Sequence, residues 1–285
     1  MTVFSRDRPL GVPELFDQAF GHYRRNARKL MSAGGVLLFP AGIALGLGQI
    51  VYQASVTSMT TASVAAGDAG ISSLAGLFVA LTLMLGLTSA YSLVSMFARG
   101  VLITAAMHIH AGEEFETRQV LGETWHRAPA LLLTEFLVGL AVGVATLFFL
   151  VPGIIVGVFL SLSAAAVIIE GRSLFDALGR SFELVTGRWW RVFGIVTALG
   201  ILSLVLQSIV TTPAQLLFLV ELARRPEAMF SPSGNVLASG AQSLLAAVAV
   251  VFVSPLTALV MTGLFVDLRL RRTGEDLEAA LDEQA

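Results

Sequence analysis

Apolar residues run in long unbroken windows, at positions 30–51, 71–98, 130–150, 154–169, 192–219 and 241–266. A helix needs about 20 mainly apolar residues to cross the roughly 30 Å of hydrocarbon in a bilayer, at about 1.5 Å of rise per residue. A sheet spans lipid only as a closed barrel, whose strands alternate apolar and polar positions. No window alternates in that way, so the pattern predicts an all-α polytopic bundle of six transmembrane helices.

The closest boundary lies at Val151-Pro152-Gly153-Ile154, between the third and fourth windows. Proline removes a backbone donor and glycine permits a tight turn, which predicts a helical hairpin. The alternative is one kinked or re-entrant element, because the fourth window falls short of a usual span.

Polar segments before the first, third and fifth spans carry apolar residues at steps of three and four. Phe16, Phe20, Tyr23 and Ala27 form the first set; Leu121, Trp125 and Ala128 the second; Leu174, Leu178, Phe182 and Val185 the third. Aligning Phe20, Trp125 and Phe182 superposes them as a weak threefold repeat of interfacial helix plus hairpin. Short cytoplasmic amphipathic helices are therefore predicted before spans 1, 3 and 5. Trp125, Trp189 and Trp190 are candidate interfacial anchors, since indoles concentrate at membrane boundaries. Such helices serve either as anchors or as sensors of lipid or of a partner.

Composition agrees with lipid as the solvent. Of the 285 residues 55% are hydrophobic and only 13% charged, and mean hydropathy is +0.80; soluble domains carry about 25% charged residues. The net charge of -2 gives no reason to expect a nucleic-acid partner. The lack of cysteine excludes disulfides, thiol nucleophiles and thiolate metal sites. All of the 18 basic residues except Arg224 and Arg225 fall on one side of a six-span arrangement with its N-terminus inside. By the enrichment of positive charge in cytoplasmic loops, both ends are expected in the cytoplasm, with the chain in a bacterial inner membrane. The polar start of the chain predicts that it is retained rather than cleaved. The expected organisation is a cytoplasmic amphipathic segment at 1–29, a membrane domain at 30–272 and an acidic cytoplasmic tail at 273–285. The connectors at 53–70 and from Ala223, which contain Asp68, Pro226, Pro232 and Gly234, read as plain loops.

Charges inside spans are costly, which singles out Glu135, about two turns from Arg127. It is either a proton or cation relay or a carboxylate paired with a basic residue near the interface. Gln49, Gln207 and Gln242 suit hydrogen bonds between helices, and Gly42, Gly46, Gly139 and Gly143 suit close helix approach. His108 and His110 are two apart, a poor spacing for a helical metal site, and precede Glu113 and Glu114. No phosphate-binding glycine loop, nucleophile elbow or helical zinc motif occurs. No catalytic residue, metal or cofactor is assigned.

The chain resembles the membrane-domain family named after glycerophosphoryl diester phosphodiesterases. The resemblance is carried by Leu10-Gly11-Val12-Pro13-Glu14-Leu15 with Phe20 and Tyr23-Arg24-Arg25-Asn26, and by the Val151–Ile154 turn. It continues in Glu170-Gly171, Arg180-Ser181-Phe182, Gly187-Arg188-Trp189-Trp190 and Asp267-Leu268-Arg269 with Arg271, Arg272 and Gly274. The resemblance implies a multi-span domain, standing here without the soluble barrel that carries hydrolysis, for which no segment has the length or polarity. Glu170 and Asp267 close spans on the cytoplasmic side, where Arg188, Arg269 or Arg99 are candidate partners. Such pairs either lock helix ends or form a surface for lipid head groups or a protein. The expected function is a noncatalytic scaffold, envelope-homeostasis factor or accessory subunit. The alternatives are a transporter component and an intramembrane hydrolase of lipid or glycerophosphodiester.

Overall fold

The computed structural model describes residues 11–66, 71–224 and 232–282. Arg6, Arg8, Leu10, Asp68, Arg225, Pro226 and Glu283 lie outside the described residues. Where they are described, the outer connectors read as plain loops are instead helical, at 53–66 and from Pro232 through Gly234. Within the described residues the chain runs through α1 (Val12–Ala66), α2 (Ile71–Ala111), α3 (Thr117–Trp125), α4 (Ala128–Phe148), α5 (Leu150–Leu160), α6 (Ser163–Glu170), α7 (Leu174–Val185), α8 (Trp189–Arg224) and α9 (Pro232–Asp282). Among the described residues six stretches are long and apolar enough to cross a membrane: Val12–Val56, Phe78–Ala111, Ala128–Phe148, Leu150–Glu170, Trp189–Leu217 and Gln242–Gly274.

The start of α1 shows how local chemistry sets a helix end. Pro13 sits in the first turn, where its missing N–H would have had no intrahelical partner. Glu14 reaches back to accept a hydrogen bond from the Gly11 N–H at 3.0 Å, as the third residue of a capping box does. The first amphipathic segment is continuous with its span, because nothing between Tyr23 and Leu30 breaks the helix. The segments before the third and fifth spans are the separate helices α3 and α7. Glycines at positive φ, Gly112 and Gly171, stand in the connections that follow α2 and α6.

The chain divides into two compact units. The first comprises residues 1–34, 96–203 and 254–285. The largest fully buried side chains among the described residues all belong to it, including Leu30, Leu102, Leu131, Ile168, Leu184 and Phe265. Gly100 of α2 makes this packing possible: a Cβ there would collide with Leu131 of α4 and lie 3.1 Å from Thr124 of α3. The second unit comprises 35–95 and 204–253. In it α1 and α9 run antiparallel, with Gly42 against Ala247 and Gly46 against Ser243, and Ser243 donates to the Gln49 side chain at 3.4 Å. The sequence-read roles of Gly42, Gly46 and Gln49 thus have partners, whereas Gly139 and Gly143 face open space.

The hairpin turn falls at Phe149, an extended residue between α4 and α5, not within Val151–Ile154. Gly153 meets Thr146 and Gly157 meets Val142, antiparallel pairs centred on the Phe149–Leu150 link. Pro152 is the third residue of α5, where it costs no helical hydrogen bond. The tip is apolar throughout, with Leu147, Phe148, Phe149, Leu150 and Val151 all exposed.

The fourth span is interrupted at Ser161–Leu162, between α5 and α6. Breaks at membrane depth survive only where other groups satisfy the freed backbone. Ser181 of α7, fully buried, accepts from the Leu162 N–H at 3.1 Å and donates to the Phe159 carbonyl at 2.7 Å. Phe159 and Phe182 stack beside it with centroids 4.6 Å apart. Ser181→Ala is expected to cost about 1–3 kcal/mol by orphaning both groups. Thermal unfolding of the purified protein in detergent would read this as a lowered midpoint, with Ser181→Thr losing less.

Candidate functional site

Three carboxylates of the first unit, Glu135, Glu170 and Asp267, are clamped by arginine. Glu135 lies in α4, buried, with its carboxylate 2.7 Å from Arg99 Nη1 of α2. The partner is therefore Arg99 rather than Arg127, the nearest basic residue in sequence. Arg127 instead approaches Gly171.

Glu170 ends α6 and is the hub of a second cluster. Arg172 Nε donates to it at 3.1 Å, Arg180 of α7 donates through Nε at 3.2 Å and Nη2 at 3.3 Å, and Arg269 Nε of α9 lies 3.7 Å away. Arg180 also donates to Glu183 at 3.0 Å, and Arg272 Nε is 3.8 Å from the other Glu183 oxygen. Burial alone would lower the Arg180 guanidinium; the hydrogen bonds and charges of Glu183 and Glu170 more than reverse that and raise it.

Asp267 of α9, 1% exposed, is held by Arg191 Nη2 of α8 and Arg271 Nε, each at 3.0 Å. The sequence paired Glu170 and Asp267 with Arg188, Arg269 or Arg99. The structure brings Arg269 to Glu170 and Arg99 to Glu135, and places Arg188 just before α8, where its carbonyl accepts from the Arg191 and Val192 N–H groups.

His108 sits apart from these clusters. Nδ1 is 2.9 Å from Glu113 and Nε2 is 3.0 Å from Glu123 of α3, while the His110 ring faces the Ala106 carbonyl and His22. Burial pushes the Glu123 carboxyl up, but hydrogen bonds from His108 and Gln119 with the charges of His108 and Arg127 outweigh it, so the group is held below its ordinary value. Among the described residues no three His, Asp or Glu side chains come together as a metal-holding group.

The aligned aromatics of the threefold repeat all point outward: Phe20, Trp125 and Phe182 are exposed. The residues one and five positions earlier are the buried ones, Ala19 and Leu15, Thr124 and Val120, Ser181 and Ala177. The repeat holds, with its inner face one residue from the one that hydrophobic spacing suggests. Thr124 uses this position to meet Thr104 of α2 at 2.9 Å. Of the three tryptophans, Trp125 and Trp190 are exposed. Trp189 stacks on Phe193 at 5.0 Å, with its Nε1 buried and without a hydrogen-bond partner among the described residues.

Residues 28–268 match the family described as Domain of unknown function (DUF7847). The chain belongs to this family. No curated protein and no solved structure matches it. Glu135, Glu170, Arg180 and Asp267 all fall within the family-matched stretch, and Arg269, Arg271 and Arg272 follow directly after it.

Sequence reading missed Ser181, Arg191 as the Asp267 partner, and Glu123. Each acts across elements, so spacing along one helix gives no sign of it. The one available signal was the serine directly before an aromatic in the repeat.

Proposed function

We propose that this chain is a noncatalytic scaffold or accessory subunit of a bacterial inner membrane, with both ends in the cytoplasm. The observation that carries this reading is the state of the carboxylates. Glu135, Glu170 and Asp267, the acids best placed for chemistry by sequence, are each engaged by arginine from another helix. A carboxylate held in this way fastens one helix to another, with its oxygens already committed to arginine. The resemblance to the glycerophosphoryl diester phosphodiesterase membrane domains supports the same reading, because hydrolysis in that architecture belongs to the soluble barrel.

The purified full chain in detergent is expected to show no turnover of glycerophosphodiesters or phospholipids. Turnover abolished by Glu135→Gln would overturn the proposal. Reporter fusions are expected to place both ends on the cytoplasmic side. An external location for either end would remove the topology on which the reading stands.

A transporter component is the second reading, favoured by the interruption of the fourth span, since broken helices line substrate sites in many carriers. Ser181 already satisfies the freed backbone groups there. Substrate-dependent flux into proteoliposomes, lost in Ser181→Ala but retained in Ser181→Thr, would favour it over the scaffold.

A further inference from the structure

The Glu170 cluster carries more positive charge than its own carboxylates neutralise. Four guanidinium groups, on Arg172, Arg180, Arg269 and Arg272, surround two acids, Glu170 and Glu183. Arg180 is the inner member, 17% exposed, and both acids receive its hydrogen bonds. The other three form a rim, with side chains 47%, 49% and 38% exposed for Arg172, Arg269 and Arg272.

Each rim arginine turns Nε toward a carboxylate, at 3.1, 3.7 and 3.8 Å respectively. Their Nη groups donate no hydrogen bond among the described residues. A guanidinium tethered through Nε still offers its two Nη groups, and several such groups together suit the oxygens of a phosphate.

The outer surface of α7 supplies an independent observation. Phe175 and Phe182, seven residues apart, share one flank of the helix and are 74% and 53% exposed. Arg180 and Glu183 lie roughly 80–160° around the axis from them, at about 100° per residue. A short helix with one exposed aromatic flank and one charged flank fits the water–lipid boundary, its rings toward acyl chains and its guanidinium groups at head-group level. Soluble phosphate has no use for the aromatic flank.

We propose that Arg172, Arg269 and Arg272, held in place by Glu170, Arg180 and Glu183, bind the phosphate of an anionic phospholipid head group, with Phe175 and Phe182 seated in the adjoining acyl region. The site is independent of whether the chain catalyses anything, so it stands or falls apart from the scaffold reading. Glu170 and Glu183 orient the rim, and the surplus of two charges supplies the attraction.

The test uses the full chain in uncharged detergent with a fluorescent short-chain phosphatidylglycerol, read by anisotropy. Binding is expected to be about tenfold tighter than for the matching phosphatidylcholine. It is expected to weaken about a hundredfold in the triple variant Arg172→Gln, Arg269→Gln, Arg272→Gln, since each arginine at the site contributes about fivefold. The pair Arg24→Gln, Arg25→Gln, exposed on α1, is the control and is expected to bind as the parent does. If the triple variant fails to elute as a folded species, Arg272→Gln alone is expected to weaken binding about fivefold.

Unchanged binding in the folded variants would overturn the proposal, as would an equal loss in the control pair, which would mean diffuse attraction. Displacement of the lipid by millimolar inorganic phosphate would make the ligand a soluble phosphate and overturn the lipid assignment. Binding seen only after removal of residues 275–285 would mean that the acidic tail occupies the site in the intact chain, and would overturn it for that chain.

Discussion

Replacing Asp267 by leucine is expected to destabilise the protein by about 3 kcal/mol, at the lower edge of the range for breaking a buried ion pair. The carboxylate is 1% exposed and accepts from Arg191 and Arg271. Its removal leaves two guanidinium groups facing each other with their shared counter-charge gone. The effect stays at the lower edge because the arginine side chains are 22% and 27% exposed and part of their charge can be hydrated. Thermal unfolding in detergent, followed by intrinsic fluorescence from the nearby Trp189, would measure the loss. The double variant Asp267→Leu, Arg191→Met is expected to recover part of it, because an apolar pair replaces an uncompensated charge. A single variant as stable as the parent would show that this pair does not hold α8 to α9.

Gly153→Ala is expected to cost about 2 kcal/mol, the usual scale of overpacking. A methyl group there would collide with Thr146 Oγ1 and come within 3.1 Å of the Thr146 Cα. Moving a side chain would relieve the first contact, but the second involves backbone, so the two helices must part. Thr146→Ala in the same chain is expected to restore only the share owed to the hydroxyl. Gly139→Ala and Gly143→Ala supply the contrast: a Cβ at either position would meet no neighbouring group within 4 Å, so both are expected to be at least as stable as the parent, with a gain of up to about 1 kcal/mol from helix propensity. A loss at Gly143 as large as at Gly153 would mean that the hairpin approach does not set the effect, since helix propensity alone favours alanine at both positions.

The helical bundle and its six candidate spans were legible because hydropathy reports solvent directly, and lipid leaves no ambiguity in windows of this length. The hairpin was legible too, with its turn misplaced by a few residues. A Pro-Gly pair reads as a turn, yet proline is equally at home in the first turn of a helix, which is where Pro152 stands. The inner faces of the amphipathic segments were harder to read. In water the largest apolar side chain goes inside, whereas at a membrane boundary an aromatic gains nothing by burial and small residues let helices approach. Ala19, Thr124 and Ser181 therefore point inward while Phe20, Trp125 and Phe182 face out. Charge partners were the least legible. Glu135 and Arg99 are 36 positions apart and Arg191 and Asp267 are 76 apart, and only the packing of α2 on α4 or of α8 on α9 selects these pairs from many arginines.

The one-residue link at Phe149 has a bearing on how such a chain can change over time. Under the proposed topology, two helices joined so tightly return to the leaflet from which they set out, and the segments on either side keep their bearings if the pair is excised or copied. A protein assembled from units of this kind lengthens by even steps. Its ends then share one compartment however many units it acquires.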